Sequence, residues 1–191
     1  MGLETVERPD VEPITPDEVK AHARILTDAE DALIAKLIPA ARRRAESRCN
    51  RSFAVQTYEL TLDGFPSWRR PLELPRPPLV AVESVAYLAT DGTLETLDPS
   101  ACRVVPGTPG LVAPAAGASW PATLETPGAV KVRYSAGWSA EELPEDARLA
   151  LLMLVAHWYD RREPIVVGTI VAELPMGVAD LLDGVDWRTR G

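Results

Sequence analysis

The stretch AHWYDRREP at 156–164 places a histidine, a tyrosine, an aspartate and two arginines within nine residues, a density of polar groups that a hydrolytic or acid–base site would use. On a helix, His157 and Asp160 are neighbours at i,i+3 and His157 and Arg161 at i,i+4, so these residues can interact with no catalytic purpose. Arg161 and Arg162 also suit the negative end of a helix dipole, and Pro164 stops the helix. A small hydrolase using His157, Tyr159 and Asp160 would further need a nucleophile beside a backbone oxyanion site. The nearest candidate, GWSAE at 137–141, lacks the second glycine of a nucleophile elbow, and Ser139 reads instead as a cap for Glu142. The chain contains no Walker loop, no GxGxxG after a strand and no HExxH motif. Cys49 and Cys102 have neither CxxC spacing nor a nearby histidine pair, so they read as buried free thiols, not zinc ligands. The residues assign no catalytic group, metal or cofactor, and the chain reads as a non-enzyme.

The scaffold that would carry these residues is of ordinary globular composition. Of 191 residues, 46% are hydrophobic and 25% charged, enough for a real core in one or two domains. The longest apolar run, at 149–156, is far shorter than the ~20 residues of a membrane span, and residues 1–10 lack the basic-then-apolar order of a signal peptide. The expectation is a cytoplasmic chain with no membrane contact. Its formal net charge of −8 opposes generic attraction to nucleic-acid phosphates.

TPDE at 15–18 is a capping box with proline at the first helical position. It opens a helix whose inward face is Val19, His22, Ala23 and Leu26, with His22 a partly buried packing residue. TDAE at 27–30 repeats the capping box before a second helix. Leu33, Ile34, Leu37, Ile38, Ala41, Ala45 and Cys49 form its apolar stripe, and it ends near Asn50. Arg42, Arg43, Arg44, Arg48 and Arg51 are assigned to its opposite, polar side, a solvated face or one that pairs with acidic residues of a neighbouring chain. From residue 55 the pattern turns to strands. VQTYELTL alternates, two extended runs flank Asp91-Gly92, and AVKVRYSAG turns Val130, Val132 and Tyr134 inward and Lys131 and Arg133 outward. Eleven of the 18 prolines lie between Pro66 and Pro127, and residues 106–128 read as loop or edge, not central strand. ARLALLMLVAHWYD is apolar on nearly every side, the pattern of a helix buried between other elements.

The fold expected is α+β: a small bundle of two N-terminal helices and one buried C-terminal helix, with an inserted antiparallel β region and an extended C-terminal tail. The divisions are 1–53 for the N-terminal helices, 54–138 for the β region, 139–164 for the core helix and 165–191 for the tail.

The order of the capped helix pair, LELPRPPLVAVESVAYLATDGTLETLD, AVKVRYSAGW, LALLMLVAHWYDRRE and ELPMGVADLL resembles the head-tail connector, or adaptor, family of long-tailed bacteriophages and phage-derived gene transfer agents. The likeness covers nearly the whole chain. It implies a structural virion protein that forms a dodecameric ring of its own copies beneath the portal protein. Such a ring extends the DNA channel and offers a platform to the next neck or tail component, in a virion neck assembled in the bacterial cytoplasm. DNA would pass without specific binding. Within that setting, Arg42, Arg43 and Arg48 are expected to meet Asp17, Glu18, Asp28 and Asp31 of an adjacent subunit. The tail is expected to be loosely held in the free subunit and to dock on the portal through Leu174, Met176, Val178, Leu181, Leu182 and Trp187. The rival to this reading is a monomeric cytosolic binding module.

Overall fold

The computed structural model describes residues 1–67, 69–161 and 174–186. Its chain divides into two compact units. Met1–Asp10 and Val55–Gly137 make one, and Val11–Ala54 with the described residues from Trp138 onward make the other.

The first unit is built of strands β1 (Gly2–Glu7), β2 (Gln56–Leu62), β3 (Leu72–Leu74), β4 (Leu79–Leu88), β5 (Leu94–Thr96), β6 (Cys102–Val105), β7 (Gly110–Pro114) and β8 (Val130–Ala136). They form a five-stranded antiparallel sheet in the order β1-β2-β8-β4-β5 and a three-stranded one in the order β3-β7-β6. Alternation decides the faces. Tyr58 opposes Tyr134 and Leu60 opposes Val132, all buried, with the two tyrosine rings stacked at 5.6 Å. The other face is a charge ladder in which Lys131 meets Glu59 at 2.7 Å and Arg133 meets Glu83 at 2.8 Å and Glu7 at 2.5 Å. Gly92, at φ +85°, supplies the left-handed backbone of the turn between β4 and β5.

Two expectations fail in this unit. Residues 1–10 belong with the strands and not with the N-terminal helices, because β1 pairs with β2. Residues 106–128 are not all loop or edge, since β7 is the central strand of the smaller sheet. Gly110 makes that possible: a Cβ there would stand 2.4 Å from the Leu79 Cβ, so only glycine permits the approach.

The second unit is helical, with α1 (Pro16–Ala23), α2 (Asp31–Cys49), α3 (Glu145–Arg161) and α4 (Met176–Val185). The capping box of α1 is present, with the Thr15 N–H donating to Glu18 Oε2 at 2.7 Å and the Glu18 N–H to Thr15 Oγ1 at 3.2 Å. The second capping box is not. Thr27 Oγ1 accepts instead from the Ala29 N–H, and α2 starts at Asp31 without a side-chain cap. Helix α1 ends at Ala23, with Arg24 left-handed beyond it. His22 and Leu26 are therefore exposed and not on the packed face, Leu26 completely so. The core gathers Val19, the α2 stripe from Ile34 to Cys49, and Ala147, Ala150, Leu151, Leu154 and Val155 of α3.

Helix α4 joins the same core. Val178 and Leu182 are fully buried and Val185 nearly so, and the Cys49 thiol donates to the Leu182 carbonyl at 3.3 Å. The described part of the tail is a piece of the bundle, which corrects the expectation of a loosely held segment. Leu182→Ala is expected to cost about 2–5 kcal/mol, whereas Met176→Ala, at a side chain 85% exposed, should stay within ~0.5 kcal/mol. Urea midpoints of the two variants check this, and equal midpoints would remove α4 from the core.

Candidate functional site

The polar end of α3 provides no linked catalytic pair. His157 is half-buried and Asp160 exposed, and among the described residues neither side chain makes a hydrogen bond or ion pair. Tyr159 donates its hydroxyl to the Glu30 carboxylate, and Trp158 and Tyr159 pack against the helical core. Arg162, Glu163 and Pro164 lie outside the described residues. Ser139 does what its spacing suggests: its hydroxyl donates to Glu142 Oε2 at 2.8 Å while the Glu142 N–H donates back at 3.3 Å. Both cysteines are free thiols. Burial, aided by the Asp186 carboxylate, pushes the Cys49 thiol up to about 12, so it has no thiolate character at neutral pH. Among the described residues no cluster of His, Cys, Asp or Glu is placed to hold a metal ion, and no helix is long and apolar enough to cross a membrane.

The ionic groups of the helical unit sort into those that pin the fold and those that face outward. Arg42, only 3% exposed, is the centre of the first set. Its Nε and Nη2 grip both oxygens of Glu12 at 2.8 and 3.2 Å, and its Nη1 meets Glu46 Oε2 at 3.0 Å. The other oxygen of Glu46 accepts the Phe53 N–H at 2.8 Å. Burial favours the neutral guanidine most, but Glu12 and Glu46 together outweigh it and hold the charge. This corrects the assignment of Arg42 to a subunit interface, since its three contacts are internal. The sequence carried the signal: Arg42 lies four residues after Ile38 and seven before Cys49, on the apolar stripe, with Glu46 one turn on.

The other expected interface residues are mostly engaged within the chain as well. Lys20 lies 3.4 Å from Asp17, 2.8 Å from Asp28 and 3.0 Å from Asp31. Arg48 meets Asp183 at 2.5 Å. Glu18 caps α1 and receives Arg148 Nη1 at 2.8 Å, while Arg148 also donates to the carbonyls of Pro13 and Ala140. These partners lie within one chain, while Asp17, Asp28 and Arg48 keep much of their side-chain surface. Arg43 alone of that group is exposed with no ion pair among the described residues, and Lys36 and Arg44 on the same side of α2 share that state. Of the expected portal anchors, Val178 and Leu182 have no surface to offer, which corrects them. Leu174 and Leu181 pack partly against the core, Met176 is exposed, and Trp187 lies outside the described residues.

A body braced by internal ion pairs, presenting outward faces of differing charge, has the makings of an assembly component. The model of the head completion protein family matches residues 12–164, and the chain belongs to that family, structural proteins of the head–tail neck. No curated protein matches the chain. Solved structures similar to it include the neck of an empty gene transfer agent particle computed with C6 symmetry, at TM-score 0.76 and 25% identity over 98% of this chain and 95% of that one. A chain of the virion of a native gene transfer agent particle matches at TM-score 0.76 and 26% identity, over 96% and 94%. One in the neck of a native particle computed with C12 symmetry, at TM-score 0.69 and 23% identity over 98% and 94%, shares the fold.

The Glu18 carboxyl gives a check on the bracing. Burial is the largest influence and raises its pKa, but the Thr15 hydrogen bonds and Arg148 together lower it below the ordinary 4.5. A carboxylate so depressed adds stability in full above its unfolded-state pKa, and that stability is lost as pH falls through the folded-state value. Glu18→Gln should therefore lower the urea midpoint at neutral pH, with the gap to the parent closing as pH falls below the ordinary 4.5. A gap of constant size across that range would contradict the assignment.

Proposed function

We propose that copies of this chain form a closed ring in the virion neck, twelve in number as in a neck of C12 symmetry, that lies beneath the portal protein and extends the channel for DNA. The ring joins the DNA-filled head to the tail and presents a platform to the next neck or tail component. Its work is structural, with no chemical step.

The observation that carries this reading is the match to a gene transfer agent neck chain over 95% of that chain's length at 25% identity, together with membership of the head completion family. Charge supports the conduit. A net −8, with 28 acidic against 20 basic residues, opposes overall attraction to phosphates, and low counterion release lets duplex DNA slide instead of being held. Met176 and the exposed end of α4 remain the part of the expected docking segment with surface available to the portal.

Particles produced without the chain should contain filled heads and separate tails, and a complementing copy should restore the junction and appear there as a ring. Joined particles of normal yield without the chain would contradict this reading. The isolated protein should also bind duplex DNA more weakly than about 1 μM at physiological salt, as measured by fluorescence anisotropy. Tighter, salt-sensitive binding would argue against a passive conduit.

A further inference from the structure

Two faces of the helical unit are complementary to each other, and their charged groups form no ion pair among the described residues. The first is the outer side of α2. From Ala32 to Ala45 this helix has no acidic residue, and Lys36, Arg43 and Arg44 are exposed with no ion pair among the described residues. They recur at i, i+7 and i+8, so they share one side, about 11–12 Å from first to last at 1.5 Å per residue. Leu33, 39% exposed, lies one turn before Lys36. Ala40 lies one turn after it, small enough to let another helix approach closely.

The second face is the outer side of α3. The sequence of this helix is apolar nearly all round, the pattern of a helix covered on every side, yet Leu149 is 41% exposed. Glu145 and Asp146, four and three residues before it, are exposed and have no ion pair among the described residues. An apolar residue at the centre of a helix face and two unpaired carboxylates at its end make a surface whose counterpart needs cations beside a small apolar patch. The outer side of α2 has that chemistry.

We infer that the α2 face of one subunit docks on the α3 face of the next, with Arg43 and Arg44 against Glu145 and Asp146 and with Leu33 and Ala40 towards Leu149. The inference rests on the ring reading above and names the contact that closes the ring. A ring is made by a heterologous contact, in which two different surfaces of each copy meet, and here both surfaces belong to one compact unit. Exposed ion pairs add little each, so their role is to fix register and to reject wrong neighbours, while burial of Leu149 supplies attraction. A nucleic-acid partner for the α2 face is disfavoured by the chain's net charge of −8.

The test is a charge swap carried out in particles. Each variant is supplied as the sole copy of the chain, and neck-bound copies per particle are counted by quantitative mass spectrometry. Arg43→Glu with Arg44→Glu should reduce those copies about tenfold or more, as should Glu145→Lys with Asp146→Lys, because each places like charges together. All four substitutions together should restore the copies to within about threefold of the parent. If the lysine variant lowers the melting temperature of the isolated subunit, Glu145→Gln with Asp146→Asn takes its place and should weaken incorporation without repulsion. Normal incorporation of either two-residue variant, or failure of the fourfold variant to recover when its subunit melts as the parent does, would overturn the pairing. Absence of the parent chain from necks would overturn the neck reading itself, so the two failures are distinguishable. Duplex DNA affinity that falls on reversing Arg43 and Arg44 would assign the α2 face to DNA and also overturn the pairing.

Discussion

The helical unit is organised around one buried cation. A guanidinium taken out of water is tolerated only when carboxylates and hydrogen bonds replace its hydration, and removing one partner of such a group costs about 3–5 kcal/mol. Arg42 therefore obliges Glu12 and Glu46 to converge on it, and Glu46 in turn holds the Phe53 N–H. Glu12 follows the point where the chain passes into this unit, and Phe53 precedes the point where it leaves. The same network thus anchors both ends of a continuous helical segment. Beside it, Phe53 packs on Trp138 with ring centroids 6.0 Å apart, and Arg51 lies 5.3 Å over that indole, a cation–π contact where the chain returns.

This constraint also sets what the surface displays. Successive residues of a helix are turned by 100°, so directing Arg42 inward rotates Arg43 and Arg44 outward. One run of three arginines is thereby divided between bracing and display. Lys20 and Arg148 divide the acidic side in the same way, for they occupy Asp28, Asp31 and Glu18 internally, while Glu145 and Asp146 on α3 are among the outward carboxylates. A protein of the head–tail neck gains from this arrangement, because ion pairs formed within the subunit leave fewer side chains to be ordered on contact.

What was legible in the sequence was local. The Thr15–Glu18 capping box, the glycine of the Asp91-Gly92 turn and the alternation from Val130 to Tyr134 depend on neighbours a few residues away, and the structure has all three. Misreadings arose where a distant partner decides. Leu182 looks like an anchor for another molecule until α3 and Cys49 are known to cover it. Strand β1 is hard to read because its burial is slight: Leu3 is half-buried and its neighbours are exposed, so its alternation is nearly invisible and its pairing with β2 runs from Gly2–Thr61 to Glu7–Thr57, contacts between residues far apart in the sequence. Gly110 and the prolines around it suggest a loop, since sequence alone does not show that Leu79 needs the space. In the candidate site, Arg42 was readable from helical phase, while the internal partners of Asp28, Asp31 and Arg48 were not, because charge type says nothing about which cation is nearest in space. The family, by contrast, was legible from the order of many weak segments.

The central claim is that the helical unit is a preassembled body whose outer α2 and α3 faces are covered by neighbouring copies. Hydroxyl-radical footprinting of the isolated subunit and of intact necks tests it most directly, with Leu94 of the β unit, 71% exposed, followed alongside for comparison. The expected result is that oxidation at Leu149 and Leu33 falls together on assembly, while Leu182 is unreactive in both states. Equal oxidation of Leu149 and Leu33 in subunit and neck, or ready oxidation of Leu182 in the folded subunit, would contradict the account.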